Sequence, residues 1–174
     1  MKAQFWSFDI IFAIIIFVFA VVILTYVWLN ISSVSSLQSA NNLNRMQLQL
    51  QVLGTQLLTP GNPSNWNQKV NLASPGSWEN LSLGMGNGTQ GALSQSKINE
   101  LNNMSIANYQ ATKPALGISY DYYIDFIGTN SEIGINPANG NVVSSQVITI
   151  PAVLNGRQVN VQIQLWSNST ISLG

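Results

Sequence analysis

The chain predicts an α+β protein: a long apolar N-terminal helix carrying a small domain of short helices and a C-terminal antiparallel sheet. Three observations predict it. Ile10 to Leu29 is an uninterrupted apolar run without a charge. From Leu43 the apolar positions recur at helical spacing. The last third alternates apolar and polar residues around Asn155-Gly156.

The apolar run makes a helix of roughly 30 Å, the thickness of a bilayer's hydrocarbon core. Phe5, Trp6 and Phe8 extend it toward the N-terminus, broken by Ser7 and one acid, Asp9. It exceeds a cleavable signal's core and ends at Tyr26-Val27-Trp28-Leu29-Asn30 without a small-residue cleavage site. Tyr26 and Trp28 suit a membrane–water interface. Lys2 precedes the run and the next basic residue after it is Arg45. The positive-inside rule then expects residues 1–4 in the cytoplasm and 30–174 outside. A carboxylate in or beside the span costs free energy and asks for a partner, which singles out Asp9.

Ile31 to Leu37 is rich in Ser, which weakens a helix without ending it. Leu43, Met46, Leu50, Leu53 and Leu57 then form one stripe, and Asn and Gln cover the opposite face. Thr59-Pro60-Gly61-Asn62-Pro63 stops the helix. A helix from about Phe5 to Leu58 would be on the order of 80 Å long. The expected segments are a leader at 1–4, a transmembrane or filament-core helix at 5–30, an amphipathic extension at 31–58, and an extracytoplasmic head at 59–174.

Residues 60–92 read as loop, pinned by Trp66 and Trp78. Ser94 is placed to cap a short helix through about Asn103, with Ile98, Leu101 and Met104 on its apolar face. Another helical turn or two is expected over Ala107–Leu116, disturbed by Pro114. Ile118, Tyr120, Tyr122, Ile124 and Phe126 alternate with polar residues, as in a half-buried strand. Gln146–Leu154 and Gln158–Trp166 flank Asn155-Gly156, a strong hairpin signal. Pairing 154 with 157 puts Ile148, Ile150, Ala152 and Leu154 on the face of Val159, Val161, Ile163 and Leu165. Pro151 requires an edge position or a bulge. The expected sheet has three or four antiparallel strands lying on the Leu43–Leu57 stripe.

Composition narrows function. Charged residues are 7% of 174, with six basic, six acidic and zero net charge. No electrostatic footprint for nucleic acid exists. Asn, Gln, Ser and Thr make up 63 residues, so uncharged polar groups carry solubility, as suits an extracellular object. With no Cys and no His, disulfides, zinc fingers, Cys–His and Ser–His nucleophiles and imidazole bases are excluded. Asp121 and Asp125 share a strand face about 13 Å apart, too far for a glycosidase acid/base pair. No enzymatic step and no cofactor is expected. Gly84 to Gly91 reads as a floppy glycine-rich loop, because no Lys or strand–helix context makes it a phosphate cradle. Tyr120, Tyr122, Tyr123 and Trp166 read as sheet packing ahead of a sugar-binding platform. Sequons stand at Asn30, Asn80, Asn87, Asn103 and Asn168, with Asn30 next to the membrane. The other four are candidate N-glycosylation sites.

The segment Lys2-Ala3-Gln4-Phe5-Trp6-Ser7-Phe8-Asp9 followed by the span resembles the N-terminus of archaeal type IV pilin-like proteins. Leu57 to Trp66, Lys97-Ile98 and Leu116-Gly117-Ile118 are similar to uncharacterised archaeal secreted proteins of this type. The resemblance implies a basic leader cut by a prepilin-type peptidase, here after Ala3 or Gln4. It further implies a filament core built from the exposed helices, with the mature N-terminal region at Phe5 and the acid Asp9 setting assembly. A cut after Ala3 puts Asp9 sixth and Ser7 fourth, one place off the family's Gln-x-Ser-x-Glu pattern. A cut after Gln4 puts Asp9 fifth, and the acid is Asp where Glu is usual. The expected function is a structural subunit of a surface filament or envelope machine. Its partners would be membrane lipid, identical or related subunits, the peptidase and the assembly machinery. The alternative is a single-pass anchored extracytoplasmic binding domain that does not polymerise.

Overall fold

The structure, a computed structural model, describes the backbone of residues 3–168 and side chains over 8–31 and 40–168. Two compact units divide the chain, residues 1–41 and 42–174. A single helix, α1 (Ala3–Leu57), begins in the first and ends in the second.

In the first unit α1 is apolar on every side from Phe8 to Ile31. Its two polar side chains near the C-terminal end of that stretch are satisfied by the helix itself. Thr25 Oγ1 donates to the Val21 carbonyl at 2.8 Å, and Asn30 Nδ2 to the Tyr26 carbonyl at 2.9 Å. Both bonds run one helical turn back, the usual way a hydroxyl or amide is accommodated in an apolar helix.

The second unit is a mixed layer of helix on sheet. Its sheet has five strands: β1 (Ala92–Leu93), β2 (Asp121–Ile127), β3 (Glu132–Gly134), β4 (Ser144–Leu154) and β5 (Arg157–Ser167), in the order β1-β4-β5-β2-β3. The expected three or four antiparallel strands are thus corrected to five, with β1 parallel to β4. β1 and β3 are two and three residues long, too short for a period of two to register in sequence. The hairpin pairs Leu154 with Arg157, and Ile148, Ile150 and Ala152 with Ile163, Val161 and Val159, as its alternation requires. Asn155 and Gly156 sit at φ 51° and 78°, the left-handed pair that a two-residue turn between twisted strands demands. Before Val153, where β1 does not reach, β4 is an edge strand, and Pro151 lies on that part.

One sheet face is buried. Tyr122, Ile124, Phe126, Val161, Ile163 and Leu165 join Met46, Leu50, Leu53 and Leu57 of α1 in one core. Each such buried side chain contributes roughly 1.5–3 kcal/mol. Leu43, expected in that stripe, is 37% exposed, because the core ends one turn further on at Met46. Gly54 brings α1 onto the hairpin: a Cβ there would lie 2.7 Å from Ile150 Cδ1 and 3.9 Å from Ile148 Cδ1.

α2 runs from Gln95 to Ala115, where two separate helical pieces were expected. Asn108 at φ −157°, ψ 89° breaks it, and its Oδ1 accepts from Ala111 N, so Asn108 caps the second half. Ser94 marks the start without a side-chain cap. Trp66 and Trp78 are fully buried and pin residues 60–92, which hold two 3-10 turns, Trp66–Gln68 and Pro75–Asn80.

Candidate assembly surface and head-domain sites

The candidate assembly surface is built by α1 alone. The most apolar 18-residue window within residues 8–31 has a mean hydropathy of 3.2, and none of the stretch is buried within the chain. Phe17, Leu24 and Trp28 are 68–70% exposed. A contiguous apolar surface this large marks contact with lipid or with other protein. One helix of this length and composition is apolar enough to cross a membrane.

Asp9 lies at the N-terminal border of this surface, exposed between Phe8 and Ile10. Its helical neighbours three and four positions away are Phe5, Trp6, Phe12 and Ala13, none of them basic. A cation for Asp9 therefore cannot come from the adjacent turns of α1. Ala3, Gln4 and Phe5 are helical in backbone, and their side chains lie outside the described residues, as do Met1 and Lys2 altogether. Asn80, Asn87, Asn103 and Asn168 are all exposed. Asn87 Oδ1 accepts from Thr89 N at 2.8 Å, and Asn103 Nδ2 donates to Glu100 Oε2 at 3.3 Å.

In the head the structure overturns the floppy reading of 84–91. Met85 N donates to Leu57 O, Gly86 N to Thr59 O, and Trp66 Nε1 to Gly84 O. A Cβ at Gly84 or Gly86 would stand 2.2 or 2.3 Å from a backbone oxygen of the chain leaving α1. The glycines allow close backbone approach. Lys97, marked in sequence only by the Lys97-Ile98 resemblance and not as a buried group, is 6% exposed and donates from Nζ to Pro60 O at 2.7 Å and Gly86 O at 2.8 Å. Burial pulls its ammonium below the usual value. Its spacing to Leu101 was the available signal, since i and i+4 share a helix face.

The aromatic residues divide as sheet packing predicts. Tyr120, Tyr122 and Trp166 are buried, and Trp166 Nε1 donates to Ile135 O. Tyr122 stacks on Tyr109 at 5.0 Å, and its hydroxyl meets Thr112 Oγ1 at 2.7 Å. Burial raises both phenols. Lys113 pairs with Asp121 at 2.7 Å and stands 5.5 Å from the Tyr109 ring. Tyr123 is half-buried on the opposite face, its hydroxyl donating to Glu132, which with burial pushes it up to about 12. None of these four rings is fully exposed.

Two clefts flank the turn between β2 and β3. One, of about 490 Å³, lies between that turn, the hairpin tip and the start of α2. The other, of about 330 Å³, is lined by Asn99, Asn102, Asn130, Ser131 and Glu132, with Ile98 and Ile133. Among the described residues no group of three or more Asp or Glu is placed to hold a metal ion.

These features define a mixed α+β protein with one exposed helix long and apolar enough to span a bilayer. No protein-family model, curated protein or solved structure matches the chain.

Proposed function

We propose that this protein is a type IV pilin-like structural subunit of an archaeal cell-surface filament or envelope machine. It assembles through α1, residues 5–29, with identical or related subunits. The observation that carries this reading is the apolar helix surface left wholly uncovered by its own chain, with an acid at its border. Packed among copies, Asp9 meets a neighbour's freed amino terminus in low dielectric, where attraction is strong and geometry sets axial register. Before assembly the helix sits in the membrane with residues 1–4 cytoplasmic and the head outside, and a prepilin-type peptidase removes the leader.

The test is N-terminal sequencing of sheared surface material together with an Asp9→Ala variant. A start at Gln4 or Phe5 and loss of assembly in the variant support the reading. A start at Met1 with unchanged assembly sinks it.

One observation favours a second reading, a monomeric membrane-anchored head. Thr25 and Asn30 bond within their own helix and need nothing from a neighbour, which suits a lone helix in lipid. Under that reading Asp9 is wetted at the headgroups, and cross-linking in membranes yields monomers alone.

A further inference from the structure

We infer that the free edge of β4 recognises itself, pairing antiparallel with β4 of a second copy of this chain. The inference rests on the head alone and holds whether or not α1 polymerises.

The first argument is the edge. Val153 N donates to Gly91 O, and alternation turns the N–H and C=O of Ser145, Val147 and Thr149 to that same side. Among the described residues no backbone group pairs with these three, because β1 joins β4 only at Val153. All three are exposed. Ser144 to Leu154 carries no charge, the usual guard of such an edge, and Pro151 guards only its far end.

The second argument is register, and it selects the occupant. A two-fold axis at Val147 sets Ser145 opposite Thr149, and Val143 opposite Pro151, of the other copy. Pro151 has no donor to give, and the Val143 N–H is already spent on Ser167 O at 2.8 Å. The ladder therefore ends, for both copies, where neither has a donor left over. An axis at Thr149 would instead drive Ser145 against Val153, where β1 already stands.

The third argument is side-chain matching. On the outer face the axis puts Val147 against Val147, Val143 against Pro151, and the Ser145 hydroxyl against that of Thr149, all pairs that stabilise adjacent strands. With no charge on the strand, nothing is repelled where a side chain meets its own copy. On the inner face Ile148 and Ile150 pack on the core yet stay half-buried, and the added strands extend the sheet over that rim.

The axis is normal to the sheet and reverses every direction in its plane. Residues 46–57 of α1 lie flat on that sheet, so these segments run antiparallel in the two copies. Neighbours within one helical filament are related head to tail, so this contact joins copies from two separate assemblies or membranes.

The test is cysteine trapping on the full-length chain, which has no cysteine of its own. Detergent micelles cover α1, so a failure of filament assembly leaves the readout untouched. Val147→Cys is expected to give a covalent dimer with a short bismaleimide. Ser145→Cys and Thr149→Cys each lie about 13 Å from their own counterparts along the paired strands. Each should stay monomeric alone, and the two should cross-link when mixed. Ile106→Cys on α2, 77% exposed, reports random collision. Built into both members of the mixed pair, Val147→Lys sets two charges at the axis and lowers the yield tenfold or more. The Val147 side chain is 46% exposed, so that variant keeps its melting temperature. Three results each overturn the inference. They are a Val147→Cys yield no higher than that of Ile106→Cys, equal yields from Ser145→Cys alone and from the mixture, and an undiminished yield with Val147→Lys.

Discussion

Gly84 lies against Thr59 so closely that a Cβ on Gly84 would stand 2.2 Å from the Thr59 carbonyl oxygen. This contact closes the glycine-rich loop onto the end of α1, and the obstructing atom is backbone that cannot swing aside. Gly84→Ala is therefore expected to destabilise the head by about 3 kcal/mol. Gly54→Ala is the informative contrast. There the nearest atom is the terminal Cδ1 of Ile150, which can rotate, and alanine gains about 1 kcal/mol of helix propensity. Its net change is expected within about 1 kcal/mol of zero. Denaturant unfolding of both variants checks the pair, and equal losses would refute the distinction.

Lys97→Met keeps the aliphatic stem and removes the ammonium that serves Pro60 O and Gly86 O. Leaving those carbonyls short of a donor costs about 1–3 kcal/mol. The pH dependence has a definite sign. Because the folded pKa is depressed, the unfolded chain holds more protons just below 10.5, and stability from this group rises with pH there. The variant should lose that rise, which a series of melts between pH 8 and 10.5 will show or deny.

The buried tyrosines act in the opposite direction. Tyr109 and Tyr122 are raised by burial, so above pH 10 the fold retains phenolic protons that the unfolded chain has released. Their contribution is complete below pH 10 and is lost as pH climbs through the raised values. Tyr109→Phe loses hydrogen bonds to the Tyr122 backbone and starts less stable, yet its stability should fall less steeply between pH 10 and 12. Parallel curves for variant and wild type, followed by circular dichroism, would falsify this assignment.

Pro151 blunts the free edge of β4. Val153 N donates to Gly91 O across that edge, and alternation places the Pro151 nitrogen on the same side. Pro151→Thr restores a donor to an edge strand that carries no charged side chain from Ser144 to Leu154. Stability should change by no more than about 0.5 kcal/mol, while light scattering should report faster self-association. Unaltered scattering would assign solubility to other features.

A fragment of residues 42–174 contains every buried core residue from Met46 to Trp166. It is expected to fold in water without detergent, with the full-length chain requiring detergent or assembling. Precipitation of the fragment would show that the head depends on the preceding helix.

How much was legible in the sequence depended on how local the signal was. The α1 span, its end one residue from the expected Leu58, the β2 alternation and the β4–β5 register follow from periodicity, from Thr59 to Pro63 and from Asn155-Gly156, which involve neighbours along the chain. The glycines at 84 and 86 look like loop punctuation until α1's exit is seen to touch them. Lys97 looks like a surface charge until two carbonyls remote in sequence close around it. The candidate site divides the same way: Asp9 and the exposed span were visible as a run of residues. The two clefts beside the β2–β3 turn bring together α2, a turn and a hairpin tip, and single-chain periodicity holds no trace of that.

What the residues alone determined was where helix and strand form and which face of each turns inward. Steric preference and side-chain period act over a few positions, and these need no partner. The tertiary structure decided the fifth strand, the parallel seat of β1, the burial of Lys97 and the clefts. Those depend on which distant backbone groups meet, and that is set by packing volume and hydrogen-bond satisfaction across the whole head.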